Sequence, residues 1–292
     1  MKIAIASGKG GTGKTTLSTN LADLCAERKD FPGIILADMD VEEPNSGLFI
    51  QREVQKEIIR NKMIPQWDKD LCSNCGVCDS ICRFNSLLKL GKTILVMPEL
   101  CHSCYACSEL CPENALPMQM QKMGRQTIFN TDSFIFIESR LDVGQEQAVP
   151  LIAQSIEYID SKYPKDFLVL LDSPPGSSCP VIEAAKNSDF VILVTEPTPF
   201  GLHDLKMAVN TMREIKKDFA VVINRFGIGN DAVIRYCSDE KIDIIAKLPD
   251  KREIAELYSK GKLVHRDVPE FGKELKKVAK YLKRLSDRRN NQ

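Results

Sequence analysis

Eight of the eleven cysteines in this 292-residue chain fall in two compact runs. They are Cys72-x2-Cys75-x2-Cys78-x3-Cys82 and Cys101-x2-Cys104-x2-Cys107-x3-Cys111-Pro112. Three thiolates two residues apart can cap one face of an iron–sulfur cubane. Structural zinc, the competing chemistry, usually takes two separated CxxC pairs. The repeated spacing with a further cysteine at x3 fits cubanes far better. A second chemistry lies near the start of the chain, where Gly8-Lys9-Gly10-Gly11-Thr12-Gly13-Lys14-Thr15 fits G-x-x-x-x-G-K-[ST]. Such glycines let consecutive backbone N–H groups turn inward around phosphate oxygens, and the helix that follows adds positive potential. Lys14 should reach the β- and γ-phosphates and Thr15 should ligate Mg²⁺, with Thr16 next in the cradle.

The elements around these groups must place them. Lys2–Ser7 is a short apolar run feeding the glycine-rich loop, and Leu17, Leu21, Leu24 and Cys25 recur at helical spacing behind it. Gly33–Asp38 reads as a buried strand ending in a carboxylate, apolar throughout as a parallel strand covered on both faces must be. After about Ile64 cysteines and glycines replace the long periodic elements until about Arg125, and two short β segments follow near Gln126–Phe129 and Phe134–Glu138. Alternation then resumes with helix Gln147–Lys162, strand Phe167–Asp172, strand Phe190–Thr195, helix Leu202–Lys217 and strand Ala220–Asn224. A helix near Asp231–Glu240, strand Ile242–Ala246 and two further helices complete it. The expected fold is α/β, a doubly wound and mostly parallel sheet with an inserted α+β module. The expected division is a nucleotide-binding domain over 1–64 and 126–292, interrupted by the cysteine module over 65–125.

Leu168–Asp172 has the apolar run and terminal aspartate of a Walker B strand, so Asp172 should hold Mg²⁺ through water. Lysine plus arginine equals aspartate plus glutamate at 40 each, which gives no sign of a nucleic-acid partner. No stretch approaches a membrane span and the opening apolar run is too short for a secretory signal, so a cytoplasmic location is expected. In that reducing compartment eleven cysteines are not a disulfide framework.

The cysteine pattern resembles the bacterial two-cluster ferredoxin run, in which the fourth cysteine of each run ligates the other cluster. The resemblance implies two [4Fe–4S] clusters, one on Cys72, Cys75, Cys78 and Cys111 and the other on Cys101, Cys104, Cys107 and Cys82. Arg83 stands where proline would follow the first run, which would put positive charge near a cluster without removing a ligand. His102 reads as an exposed loop residue beside a cluster rather than a ligand.

Lys9-Gly10-Gly11-Thr12-Gly13-Lys14-Thr15 resembles the deviant Walker A motif of the MinD/ParA/Mrp ATPases. That family's early lysine reaches across a dimer interface to the partner's nucleotide, which implies this role for Lys9 and an ATP-dependent homodimer. Asp38-Met39-Asp40 resembles the family's switch I D-x-D, implying that Asp38 and Asp40 act on the Mg²⁺ shell and the attacking water, with Asp40 the better candidate for activating the water. Asp172-Ser173-Pro174-Pro175-Gly176 resembles switch II, where Gly176 would offer its N–H to the γ-phosphate. Val221–Arg225 resembles the strand whose Asn224 reads adenine beside Arg225, and Pro249-Asp250 resembles the loop over the base. The nucleotide is therefore expected to be ATP, since the guanine-reading N-K-x-D motif is absent.

The strings Asp38–Asn45 and Thr195–Gly201 also resemble this branch, without a mechanistic assignment for most of their residues. Cys179 follows Asp172 by seven residues, the offset of a cluster-ligating cysteine in the nitrogenase iron protein; a small, partly buried cysteine is the equal alternative. Cys25 and Cys237 look like ordinary helix cysteines. Residues 269–288 form an amphipathic pattern with Phe271, Leu275, Val278, Leu282 and Leu285 on one face and Lys273, Lys276, Lys277, Lys280 and Lys283 on the other. A helix packed on the sheet is favoured there over a membrane-binding one. Three roles compete: an ATPase that assembles or delivers metal centres to an apo-protein client, an ATP-gated electron carrier to a partner reductase, and a positioning ATPase on membrane or DNA. The cysteine module argues against the third.

Overall fold

The computed structural model describes residues 1–290. Apolar runs too short for helices become buried strands, and β1 (Lys2–Ala6) leads directly into the glycine-rich loop and α1 (Lys14–Arg28). β2 (Ile34–Asp38) is buried at every position. A long strand β3 (Glu53–Pro65) leads out to the cysteine region, which holds α2 (Val77–Ile81), β4 (Leu87–Leu90), β5 (Thr93–Val96) and α3 (Ala106–Glu109). β6 (Met118–Asn130) leads back, and β7 (Ile135–Leu141) rejoins the main sheet. Then come α4 (Ala148–Lys162), β8 (Leu168–Asp172), α5 (Cys179–Lys186), β9 (Phe190–Thr195) and α6 (Pro199–Glu214). β10 (Phe219–Phe226), α7 (Ala232–Asp239), β11 (Ile244–Pro249), α8 (Arg252–Ser259) and α9 (Pro269–Asn290) complete the chain.

The main sheet runs β11-β10-β9-β1-β8-β2-β7-β6-β3. It is parallel from β11 to β7, while β6 pairs antiparallel with β7 and β3 antiparallel with β6. Alternate side chains serve opposite faces. Ile3, Ile5 and Leu36 pack with Leu17 and Leu21 of α1 and with Phe271, Leu275, Val278 and Leu282 of α9. Ala4, Ala6, Ile35 and Ala37 pack on the other face with Leu151 and Ile152 of α4 and Leu205 and Val209 of α6. The apolar face of α9 is thus spent on the core, with Phe271, Leu275, Val278 and Leu282 fully buried, and Lys273, Lys276, Lys277 and Lys280 point outward. No helix among the described residues is long and apolar enough to cross a membrane.

The expected strands and helices are present, with ends shifted by a few residues; the α6 helix, for example, starts at Pro199 rather than Leu202. The sequence pattern missed two elements. α5 is only eight residues long, too short for its period to show. β3 reads as charged rather than apolar because it is an edge strand whose first five residues are exposed. The short β segment expected near 126–129 is the end of a 13-residue strand that starts at Met118. Together β3 and β6 form a long ribbon from the main sheet to the cysteines, held in one register from Glu53↔Asn130 to Pro65↔Met118 apart from two irregularities.

Candidate functional site

The parallel strands end at a cavity of about 520 Å³, within the usual size for a small-molecule site. Gly10, Gly11, Gly13, Lys14, Thr15 and Thr16 line one side of it. Asn224, Arg225, Pro249 and Asp250 line the other, so the expected phosphate and base segments share one cavity. Asp40 lines it as well. Gly13 has φ 93°, and a Cβ there would lie 2.2 Å from Asn224 Nδ2, so both conformation and contact require glycine. Asn224 Nδ2 donates to the Thr12 carbonyl at 2.9 Å, which ties the loop to β10. Lys14 is buried and donates to Ser7 Oγ at 2.9 Å, while Ser7 donates to the Lys9 carbonyl at 2.6 Å. Burial holds the Lys14 ammonium below the usual lysine value, opposed by Asp172 and Asp40.

Three carboxylates crowd beneath the loop. Asp38 is 1% exposed and accepts from the N–H groups of Asp40, Asn45 and Ser46 at 2.9–3.1 Å. It folds the 40–46 loop around itself and does not line the cavity. Ser46 donates to Asp172 Oδ2 at 2.8 Å, joining that loop to the end of β8. Burial and the neighbouring Asp172 push Asp38 well above the usual carboxylate range. Burial also raises Asp172, against the Ser46 hydrogen bond, the nearby Thr15 and Ser18 hydroxyls and the charge of Lys14. Burial, then Asp172, raises Asp40 to about 6. Asp172 Oδ1, Thr12 Oγ1 and Ser173 Oγ are buried without a partner among the described residues. Excess negative charge on buried carboxylates is what a hydrated divalent cation would neutralise, and the unpartnered Thr12 and Ser173 hydroxyls with the Lys14 ammonium can donate to a phosphate, so the donor set fits Mg²⁺ and a nucleotide.

The remaining expected residues lie around this cavity. Gly8 packs so tightly that a Cβ would fall 2.3 Å from the Asp204 carbonyl oxygen. Gly176 has φ 95° and donates its N–H to the Ser7 carbonyl at 3.1 Å, so in this state it is engaged with the loop itself. Lys9 Nζ turns away from its own cradle and sits 3.6 Å from Glu196 Oε2. Arg225 reaches the same carboxylate at 3.5 Å and Asp250 at 3.0 Å. Glu196, left without a role by the sequence pattern, thus links Lys9 to the base-side loop. Sequence reasoning also missed Lys251, Ile254, Ala255 and Tyr258 on the cavity wall, because α8 and its approach carry no motif, and it left Glu43 and Asn45, in the Asp38–Asn45 string, without a role. Tyr258 rests against Phe49 with ring centroids 4.7 Å apart.

The eight run cysteines are all free thiols, and they divide between two cavities. Cys72, Cys75, Cys78 and Cys111 line one with Trp67; Cys101, Cys104, Cys107 and Cys82 line the other with His102. These are the same two sets of four that the ferredoxin resemblance grouped together. The two loops share a backbone shape: Asn74 and Ser103, Gly76 and Tyr105, Asn85 and Asn114 all have φ between 53° and 82° at matched positions. Among the described residues no three thiols lie within 4.8 Å of one another. The donors around the sulfurs suit thiolates. Asn74 N–H donates to Cys72 Sγ at 3.4 Å and Ala115 N–H to Cys111 Sγ at 3.3 Å. Burial opposes ionisation of Cys82, yet the Ser86 hydroxyl and nearby backbone N–H groups hold its thiol below the ordinary value. Burial pushes Cys107 up to about 11 and raises Cys78 as well, a cost that binding to iron would remove. Cys179 is exposed at the first turn of α5, and Cys25 and Cys237 are buried.

The tightest metal-like group among the described residues is Asp23, Glu27 and His265. Arg266 already bridges it, 2.7 Å from Asp23 and 2.8 Å from Glu27, so it is an ion-pair knot bracing α1.

Comparison with known proteins matches residues 3–264 to the CobQ/CobB/MinD/ParA nucleotide binding domain. An uncharacterized protein of Methanocaldococcus jannaschii is 30% identical over 94% of this chain and 96% of its own length. An iron-sulfur cluster carrier protein of Pyrococcus horikoshii is 23% identical over 84% of this chain and 67% of its own. The cell division ATPase MinD of Pyrococcus furiosus superposes with a TM-score of 0.59 over 97% of this chain and 98% of that one, at 18% identity.

Proposed function

Because the chain belongs to the CobQ/CobB/MinD/ParA nucleotide-binding family, we propose that it is an ATP-hydrolysing iron–sulfur protein that assembles or delivers metal centres. The observation that carries the iron–sulfur half is the partition of eight free thiols into two cavities, four to each. The residues between β3 and β6 then act as a ferredoxin-like module inserted in the nucleotide-binding domain. When bound, [4Fe–4S] clusters would supply one-electron chemistry, or iron and sulfide if passed on. The carrier protein of Pyrococcus horikoshii supports the delivery role.

On the nucleotide side Lys14 and the Gly10–Thr16 backbone hold phosphates, and Thr15 and Asp172 hold Mg²⁺. Asp38 orders the loop that carries Asp40 to the cavity. Asp40 is the residue free to orient and deprotonate water, since its carboxyl lines the cavity and titrates near 6, not far below working pH. Asn224 and Arg225 flank the base with Pro249 and Asp250. Lys9, turned from its own cradle toward Glu196, is positioned to leave that contact for a partner's phosphates in an ATP-held homodimer.

One observation favours the second reading, an ATP-gated electron carrier. Cys78 and Cys107 are buried in the module's own small core with Leu87, Ile94 and Leu116, which suits resident clusters better than cargo. The deciding experiment begins with anaerobic protein, expected to carry about eight iron and eight sulfide per chain. Zinc in their place would remove the iron–sulfur half. Loss of cluster iron to an apo-protein during ATP turnover supports delivery. Hydrolysis whose rate follows cluster oxidation, with no iron lost, supports electron transfer instead.

A further inference from the structure

The two thiol sets are related by the repeat, yet their surroundings differ in charge. The second set lies against the ribbon that joins the module to the main sheet. Lys62 of β3 is only 3% exposed, and its Nζ donates to the Pro98 carbonyl, three residues before Cys101, at 2.8 Å. Burial holds its ammonium below the usual lysine value, opposed by Cys101 and the Glu99 carboxylate, and its charge acts on the neighbouring His102. Ser103 Oγ donates to the Met63 carbonyl at 2.6 Å, and Gln147 Nε2 of the main domain donates to the Glu99 carbonyl at 3.2 Å. The second loop is therefore pinned to β3 and to the approach of α4, with a buried cation in the joint.

Among the described residues no buried lysine or arginine lies against the first set. Its nearest lysine, Lys89, donates to the Asn74 carbonyl at 2.7 Å but is exposed, so water screens it. Glu113 lines the same cavity but is exposed as well, so its charge is screened in the same way. A full charge in a screened position counts for far less than one shielded from solvent. Reduction adds one negative charge to a cluster, so a buried lysine favours the reduced form and a carboxylate disfavours it.

We propose that buried Lys62 makes the cluster held by Cys82, Cys101, Cys104 and Cys107 the higher-potential one, so that an electron shared by the two clusters rests at the end joined to the nucleotide-binding domain. The inference rests on the cluster assignment above. It ranks the two sites, which the equal spacing of the two cysteine runs does not. It also gives Lys62 a positioning role for the electron that does not depend on which client or partner the protein serves.

The test is an EPR-monitored redox titration of the whole protein, with iron and sulfide counted on every sample. Lys62→Met should lower one of the two midpoints and leave the other. The expected change is on the order of tenfold in the equilibrium between the two half-reduced forms, about 59 mV for one electron. Lys62→Arg keeps the charge and should keep both midpoints, and Lys89→Met should move neither appreciably. A fully loaded Lys62→Met protein with unmoved midpoints overturns the ordering while leaving the cluster assignment intact. A second measurement needs no variant. Trp67 is the single tryptophan and lines the first cavity, while His102 lines the second. Adding one electron per chain should shift and broaden the His102 ring resonances before the Trp67 indole resonance. The reverse order overturns the proposal.

Discussion

Replacing Asp40 by asparagine should make the protein more stable and nearly inactive at once. Burial, reinforced by Asp172, raises this carboxyl from 3.8 to about 6. That difference is ~3 kcal/mol of preference for the neutral form. The sign follows from the two states of the chain. Below the unfolded value the carboxyl is protonated in both states and costs nothing. Between the two values the unfolded chain releases the proton first, and the folded state loses ground as pH rises. Above the folded value the carboxylate is charged in both states, and the whole cost is present. Asparagine keeps the shape and an oxygen for the Glu43 N–H but never carries the charge. The gain from Asp40→Asn should therefore be near zero at about pH 4 and approach ~3 kcal/mol at about pH 7. Asp40 is only partly buried, so that figure is a ceiling, and a rise of on the order of 5 °C in Tm at neutral pH is the expected reading. Melts should be run without Mg²⁺, which would relieve the same repulsion, and without nucleotide, whose binding would stabilise the folded state separately. Hydrolysis should fall by roughly 10²–10⁴, as for loss of a general base. A variant that melts below the wild type at neutral pH, gains equally at all pH values, or hydrolyses ATP normally would refute the reasoning.

Lys14→Ala should abolish nucleotide binding, because it removes a buried ammonium aimed into the cradle; retained binding in a titration with a fluorescent ATP analogue would show that the cavity is not the site. Asn224→Ala loses the bond to the Thr12 carbonyl as well as the proposed base contact, and ATP affinity should drop by roughly tenfold, consistent with one or two hydrogen bonds. An unchanged affinity would separate β10 from nucleotide binding. In sedimentation, Asp40→Asn with ATP should run as a dimer, while ADP or added Lys9→Ala should leave monomer; a dimer that persists in ADP would mean another surface holds the copies together.

The chemistry of the chain was legible where a ligand demands a fixed local pattern. Phosphate cradling needs glycines, a lysine and a hydroxyl within one loop, so Gly10–Thr15 announced itself. The two cysteine runs stood out by their repeated spacing, and the structure gathers four of the eight around each of two cavities. The parallel core was readable because strands covered on both faces must be apolar throughout, as β2 and β8 are. What the sequence left open depends on approach between distant segments. The β3–β6 ribbon was hidden because a solvent-facing edge strand has no apolar run, and its partner lies on the far side of the cysteine module. The switch I resemblance favoured Asp40 over Asp38 for the water, but only folding turns Asp38 inward to order a loop and leaves Asp40 at the cavity. Glu196 gains meaning only when β9 sits between β1 and β10 and brings it to Lys9 and Arg225. Lys62 is one charge among many along an exposed strand until the module folds back and shuts it away from water. Local spacing fixes which ligands a segment can hold, and burial, which no single segment controls, fixes how strongly each charge acts.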